Sequence, residues 1–350
     1  LAKITFEENM KSNTKKIFFC LSAILLLTSC DSILGRFNPD SIPVEAYTVV
    51  LTDPVNEAKL QKTVERDDHV KTLGVRLANP DKTRTNTILV GITGAGKTTL
   101  VHALVFALKE GKVKTLRGKK VIQIHLEEIN KLAGTLNFSA THYFQLFERA
   151  IASHGEENIY FIDEVQTAAK GHGSEMADQW KAFLGKYGRI IAATTEKEYE
   201  KIYFDDAVNR RIEPIVIKEA NFAQTTRILE KLVASQYQDR AITKDVIKIA
   251  ALSSMVANIH ESIISNAVNI LGDAAGYALA EDRTSIEIVD VQEATTNRGA
   301  LAESEFKKLI ADFKSNPTKL ISQFDDIILE RNQKLKEAIN RVHRSRRNGA

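Results

Sequence analysis

Cysteine is nearly missing from this chain. Of 350 residues only Cys20 and Cys30 carry a thiol, and Cys20 sits inside an apolar leader-like run, so no internal disulfide framework is expected. An excess of one charge is missing as well: 48 Lys and Arg stand against 45 Asp and Glu, and a net charge of +3 gives no global reason to expect nucleic acid as a partner. The local exception is a basic tail at 341–347, which could touch phosphate, lipid or an acidic protein or could be an ordinary solvated terminus. The apolar run at 17–27 falls short of the roughly 20 residues a spanning helix needs. There is no convincing internal repeat and no long low-complexity tract. What remains, at 43% hydrophobic and 27% charged, is a globular chain long enough for about two domains.

One stretch stands out. Gly91, Ile92, Thr93, Gly94, Ala95, Gly96, Lys97 and Thr98 fill every position of the phosphate-cradling pattern GxxxxGK[ST]. Residues 87–90 form a short apolar strand pattern before it, and 99–108, from Thr99 onward, have the apolar spacing of a helix after it. Glycines let backbone N–H groups turn toward phosphates, and the helix N-terminus adds partial positive charge. Lys97 is expected to reach the outer phosphates of ATP, and Thr98 to ligate Mg2+.

Residues 160–164 read as an apolar strand ending in two carboxylates, which completes this chemistry. Asp163 is expected in the Mg2+ shell, with Glu164 orienting and deprotonating the attacking water. The strand at 190–195 ends in hydroxyls, and Thr194 is suited to hydrogen-bonding the same water or phosphate. Arg210 and Arg211 follow an acidic pair and could stabilise transition-state charge or simply pair at the surface.

Further apolar segments at 121–126, 159–162, 190–193 and 215–217 alternate with helical patterns, notably 143–152 and 176–184. The fold class is therefore α/β, a three-layer parallel-sheet domain over about 46–219. From 225 to 279 the pattern is helical, which predicts a small helical domain over 220–295. A short strand is expected at 285–289 and two helices at 303–314 and 318–342, within a C-terminal extension over 296–350. The longer helix sets Leu320, Phe324, Ile327, Ile328 and Leu335 near one face, a docking stripe.

Upstream, Met10 begins a secretory signal in outline: Lys11, Lys15 and Lys16, the apolar run, then Leu27-Thr28-Ser29-Cys30. Its end resembles the bacterial lipobox, so residues 1–30 are expected to be a leader, Cys30 the lipid-bearing mature N-terminus, and 31–45 a tether from the membrane. ATP is scarce outside the cytoplasm. Either the leader is inefficient and the protein works on the cytoplasmic side, or the protein is delivered to a compartment that contains ATP.

The order of parts resembles the AAA+ ATPases of the Clp class, ring-forming unfoldases and disaggregases, and looks most like their first ATPase module, from about Tyr47 to Val289. Val64 and the following Glu65-Arg66-Asp67 stand where the family has Gly-Arg-Asp near the adenine. Residues 161–167 resemble its acidic strand, 193–199 its sensor segment and 205–211 its arginine-finger segment. The resemblance implies a P-loop sheet domain with a helical lid, Arg210 and Arg211 acting in trans, a homo-oligomeric ring, typically a hexamer, and a protein substrate. Phe138, after Ala133-Gly134-Thr135, is the candidate gripping aromatic of a pore loop, although the motif is offset. Ile264-Ser265-Asn266 replace the family's Pro-Asp-Lys element. A membrane-anchored, nucleotide-dependent binding switch that does not translocate substrate is the alternative function.

Overall fold

The computed structural model describes residues 41–60, 66–136, 138–169, 173–201, 206–255 and 261–348. Six strands form one sheet: β1 (Thr48–Val50), β2 (Asn86–Val90), β3 (Val121–Ile124), β4 (Ile159–Ile162), β5 (Ile190–Thr194) and β6 (Ile212–Val216). Their order is β1-β3-β4-β5-β2-β6. β1 runs antiparallel to β3, and every other pairing is parallel. All residues of β2, β4 and β5 are buried, as expected of parallel strands covered on both faces.

Alternation along the strands divides the apolar residues between two cores. Ile88, Val90, Tyr160, Ile162, Ile190 and Ala192 face one layer, where α3 (Ala140–His154) and α4 (Gly173–Lys186) bring Phe144, Phe147, Trp180 and Phe183 together. Ring centroids in that cluster lie 5.0–6.3 Å apart, mostly edge to face. Leu89, Phe161, Ile191 and Ala193 face the other layer, against α1 (Asp67–Leu77) and α2 (Lys97–Lys109). This is the three-layer α/β arrangement read from the alternation of segments.

Beyond the sheet lie the helices α5 (Phe222–Gln236), α6 (Lys244–Ser254), α7 (Ile263–Ala280) and α8 (Ile288–Asn297), around a third core that includes Leu229, Ile249, Ala267 and Leu271. The helical pattern is interrupted by β7 (Ala241–Ile242), which pairs with β8 (Ser285–Ile286). The strand expected at 285–289 is cut short. Glu287 caps α8 in a reciprocal box with Asp290, its N–H donating to Asp290 Oδ2 at 2.8 Å, so the β-branched Ile288 and Val289 enter a helix.

Two more helices follow, α9 (Glu303–Ser315) and α10 (Pro317–Asn348). The docking stripe on α10 meets the chain's own body. Phe324 and Ile328 enter the helical core, whereas Leu335 and Ile339 enter a core of the sheet domain. Ile327, expected on that stripe, instead points outward at 37% exposure. One long helix thus straddles both parts.

Candidate nucleotide site

The parallel pairing of β2 with β5, together with β4 beside β5, brings three strand ends to one edge of the sheet. The loop after β2, the carboxylates after β4 and the hydroxyls ending β5 line a cleft of about 260 Å³. Its walls are Thr93, Gly94, Gly96, Lys97, Thr98, Thr99, Asp163, Glu164, Gln166, Thr194 and Thr195. Parallel α/β sheets collect ligands at such carboxyl ends.

The loop's glycines are required by space and backbone. A Cβ on Gly91 would stand 2.8 Å from the Ile217 carbonyl oxygen. Gly94 and Gly96 adopt φ of +77° and +87°, where side chains are strained, and Gly96 is the N-cap of α2. The N–H groups that open α2 therefore face the cleft's mouth. Lys97 Nζ donates to the Gly91 and Ile92 carbonyls at 2.9 and 3.2 Å, folding the ammonium back over the loop. Burial holds its pKa below the ordinary lysine value, opposed by the Asp163 and Glu164 charges. The ammonium is thus partly desolvated and held on the loop's own carbonyls, within the field of the two carboxylates.

Thr98 Oγ1 donates to Asp163 Oδ2 at 2.6 Å. Two hard oxygen donors are in contact at the start of α2, a donor set that suits Mg2+ beside phosphates. Asp163 Oδ1 accepts from the Glu164 N–H at 2.9 Å. Glu164 has φ +50°, an uncommon conformation for a non-glycine residue, and its side chain is exposed to the cleft. One carboxylate thus meets Thr98 while the other is exposed on the cleft wall. At the next strand end Thr194 is buried and donates to Gln166 Oε1 at 2.8 Å. The residues present fit a nucleoside triphosphate with a divalent cation.

Residues 87–219 match the family model described as ATPase family associated with various cellular activities (AAA). The chain carries an AAA domain related to the Clp-class chaperones. Over 292 residues it is 27% identical to the ATP-dependent Clp protease ATP-binding subunit ClpL of Lactococcus lactis, covering 77% of this chain and 37% of that one. It is 30% identical over 249 residues to chaperone protein ClpB of Porphyromonas gingivalis, covering 66% of this chain and 28% of that one. The match to chloroplastic ClpC1 of Oryza sativa is 33% over 204 residues, 54% of this chain and 21% of that one. The chain therefore spans well under half the length of these relatives. Among solved structures, an S. cerevisiae Hsp104–ADP complex superposes with a TM-score of 0.62 at 22% identity, over 77% of this chain and 48% of that one. A closed-state reconstruction of Hsp104 with ATPγS and FITC casein gives 0.62 at 23%, over 87% and 53%.

Within the AAA domain, not every expected residue converges on the cleft. Arg210 and Arg211 immediately precede β6, whose first residue pairs with Asn86, the first of β2. The phosphate loop begins after the last residue of β2, so the arginines lie at the opposite end of the sheet, about 17 Å away at 3.3 Å per residue. They do not reach this cleft. Phe138 is 7% exposed and packs against His142 and Tyr143, with centroids at 5.5 and 5.8 Å. Its ring joins the sheet-domain core, next to the Ser139 cap of α3. Val64 and Cys30 lie outside the described residues.

Three contributors escaped the sequence reading. Gln166 was visible only as part of the acidic strand's continuation. Arg66, the N-cap of α1, donates through Nη2 to the Ala95 carbonyl and packs against Gly96, bracing the loop from outside. The start of α7 also lies on the loop: Ser262 N–H donates to the Thr93 carbonyl at 2.9 Å. These residues are far apart in sequence; the resemblance placed Arg66 near the adenine and Gln166 beside the acidic strand, but no local signal gave the contacts they make.

Proposed function

We propose that this chain binds ATP with Mg2+ and hydrolyses it, and that it works as a homo-oligomeric ring to remodel or unfold protein. The observation that carries the first part is the contact of Thr98 with Asp163 at 2.6 Å, at the mouth of a complete phosphate loop, with Glu164 standing clear beside it. Backbone N–H groups at 94–98 and the Lys97 ammonium bind and orient the triphosphate. A cation held by Thr98 and Asp163 supplies charge neutralisation on the phosphate oxygens. Glu164 takes the proton of the attacking water, and Thr194, fixed by Gln166, orients it.

Assembly and substrate rest on likeness. The relatives are named as chaperones and as an ATP-binding subunit of a Clp protease, and casein is bound in an Hsp104 complex. The separation of Arg210 and Arg211 from their own cleft supports their use in a neighbour's site, which requires an oligomer. Lipid on Cys30 would place this ring at a membrane.

One observation favours the second reading, a nucleotide-driven switch that threads nothing: the burial of Phe138 takes the candidate gripping aromatic away from any pore surface. Turnover measured with and without an unfolded protein separates the two. Stimulation supports remodelling. Partner capture that needs ATP but not turnover supports the switch.

A further inference from the structure

The hinge between the sheet and the helical part contains a buried carboxylate that the nucleotide chemistry does not use. Glu219 lies between β6 and α5 and is 8% exposed. Its Oε2 accepts from the Ile263 N–H, the first of α7, at 2.9 Å. Its Oε1 faces Arg331 Nη1 at 3.7 Å, and the Asn332 side chain clasps its backbone from both sides, accepting from the Glu219 N–H at 2.8 Å and donating to its carbonyl at 3.0 Å. Burial raises the Glu219 pKa, and the Ile263 N–H and the Arg331 charge oppose the rise. Removing a partner of such a buried, paired carboxylate is costly, because the charge is left uncompensated.

The helix that Glu219 caps is the one that rests on the phosphate loop. Thr93 pairs with Glu261 as an isolated bridge, Ser262 N–H donates to Thr93, and a Cβ on Gly94 would stand 2.6 Å from Ser265 Cβ. Glu219 thus joins three elements: the loop-contacting end of α7, the hinge itself, and α10. Three residues along the chain, Phe222 N–H donates to Asp325 Oδ1 at 2.7 Å, so α10 grips the hinge at two points a helical turn or more apart.

We propose that Glu219 is a positioning residue for the nucleotide site, and that α10, through Arg331 and Asn332, sets how α7 bears on the phosphate loop. Any partner or tail movement that displaces α10 would then change nucleotide affinity without touching the cleft. This rests on the nucleotide reading for its consequence but not for its geometry.

The test uses the full chain in two arms. In the nucleotide-free protein, hydrogen exchange of segments 91–96 and 261–266 is expected to quicken about tenfold in Glu219→Ala and in Arg331→Ala/Asn332→Ala, and to quicken less in Glu219→Gln, whose side-chain oxygen still accepts from Ile263 while the charge pair with Arg331 is lost. In the second arm, a fluorescent ATP analogue should bind about tenfold more weakly to the same two variants, with partial rescue by glutamine. Parent-like exchange in both folded variants overturns the linkage. Should Glu219→Ala fail to fold, the double variant on α10 decides alone by the same criterion. A parent protein that binds no nucleotide would sink the nucleotide reading, while the exchange arm would still rule on Glu219.

Discussion

Replacing Gly94 with alanine probes the point where the helical part bears on the phosphate loop. Two costs add there. The backbone at φ +77° disfavours any L side chain by about 1–2 kcal/mol. The new Cβ would also stand 2.6 Å from Ser265 Cβ and 2.9 Å from its hydroxyl, and such overpacking costs about 1–3 kcal/mol. The sum is about 2–5 kcal/mol. Only the second part depends on Ser265, and most of it does, the Ser262 hydroxyl standing farther off at 3.1 Å. In a Ser265→Gly background the alanine should cost about 1–2 kcal/mol, leaving a coupling of about 1–3 kcal/mol between the two positions. Denaturant unfolding of the parent, both single variants and the double variant measures this. Equal costs in both backgrounds would show that α7 does not rest on the loop and would remove the path by which the hinge acts on the site.

Other expectations follow from the same geometry. Subunits carrying Arg210→Ala/Arg211→Ala and subunits carrying Lys97→Ala should each be inactive alone yet regain turnover when mixed, because some interfaces join an intact loop to intact arginines; mixed oligomers that stay inactive at every ratio would return the arginines to surface pairing. His69, His102, His125 and His154 are all held below the ordinary histidine pKa, in each case chiefly by burial. The unfolded chain therefore takes up protons first, so their stabilisation is present above about pH 6.5 and is lost as pH falls below it. The thermal midpoint should drop from pH 7.5 to 5.5, and less so in His125→Gln; identical slopes in parent and variant would contradict this. Metabolic lipid labelling should mark the protein in bacteria, and Cys30→Ala should abolish the label; an unlabelled, unprocessed parent would remove the lipid anchor.

The strands and the loop were legible because each carries a local cause. Continuous apolar runs such as 159–162 are what a two-sided parallel sheet demands, and glycines at 94 and 96 answer constraints of the backbone itself. Contacts set by tertiary placement were not legible. Nothing local tells that Arg66 braces Ala95, that Gln166 holds Thr194, or that Ser262 meets Thr93. The burial of Phe138 was not legible either: an aromatic after Ala-Gly-Thr suggested a pore, and nothing local tells that its ring packs on His142 and Tyr143. The β-branched pair Ile288-Val289 favoured a strand, and the capping box of Glu287 with Asp290 prevailed.

The central claim is that the loop and the two carboxylates form one hydrolytic site, and its most direct test is phosphate release from ATP by the parent and by Glu164→Gln, alongside nucleotide binding by both. The account predicts Mg2+-dependent turnover in the parent, and in Glu164→Gln retained ATP binding with turnover reduced by about 100-fold or more, as expected for loss of a general base. Parent-like turnover in Glu164→Gln, or no turnover in the parent under any condition that supports binding, would contradict it.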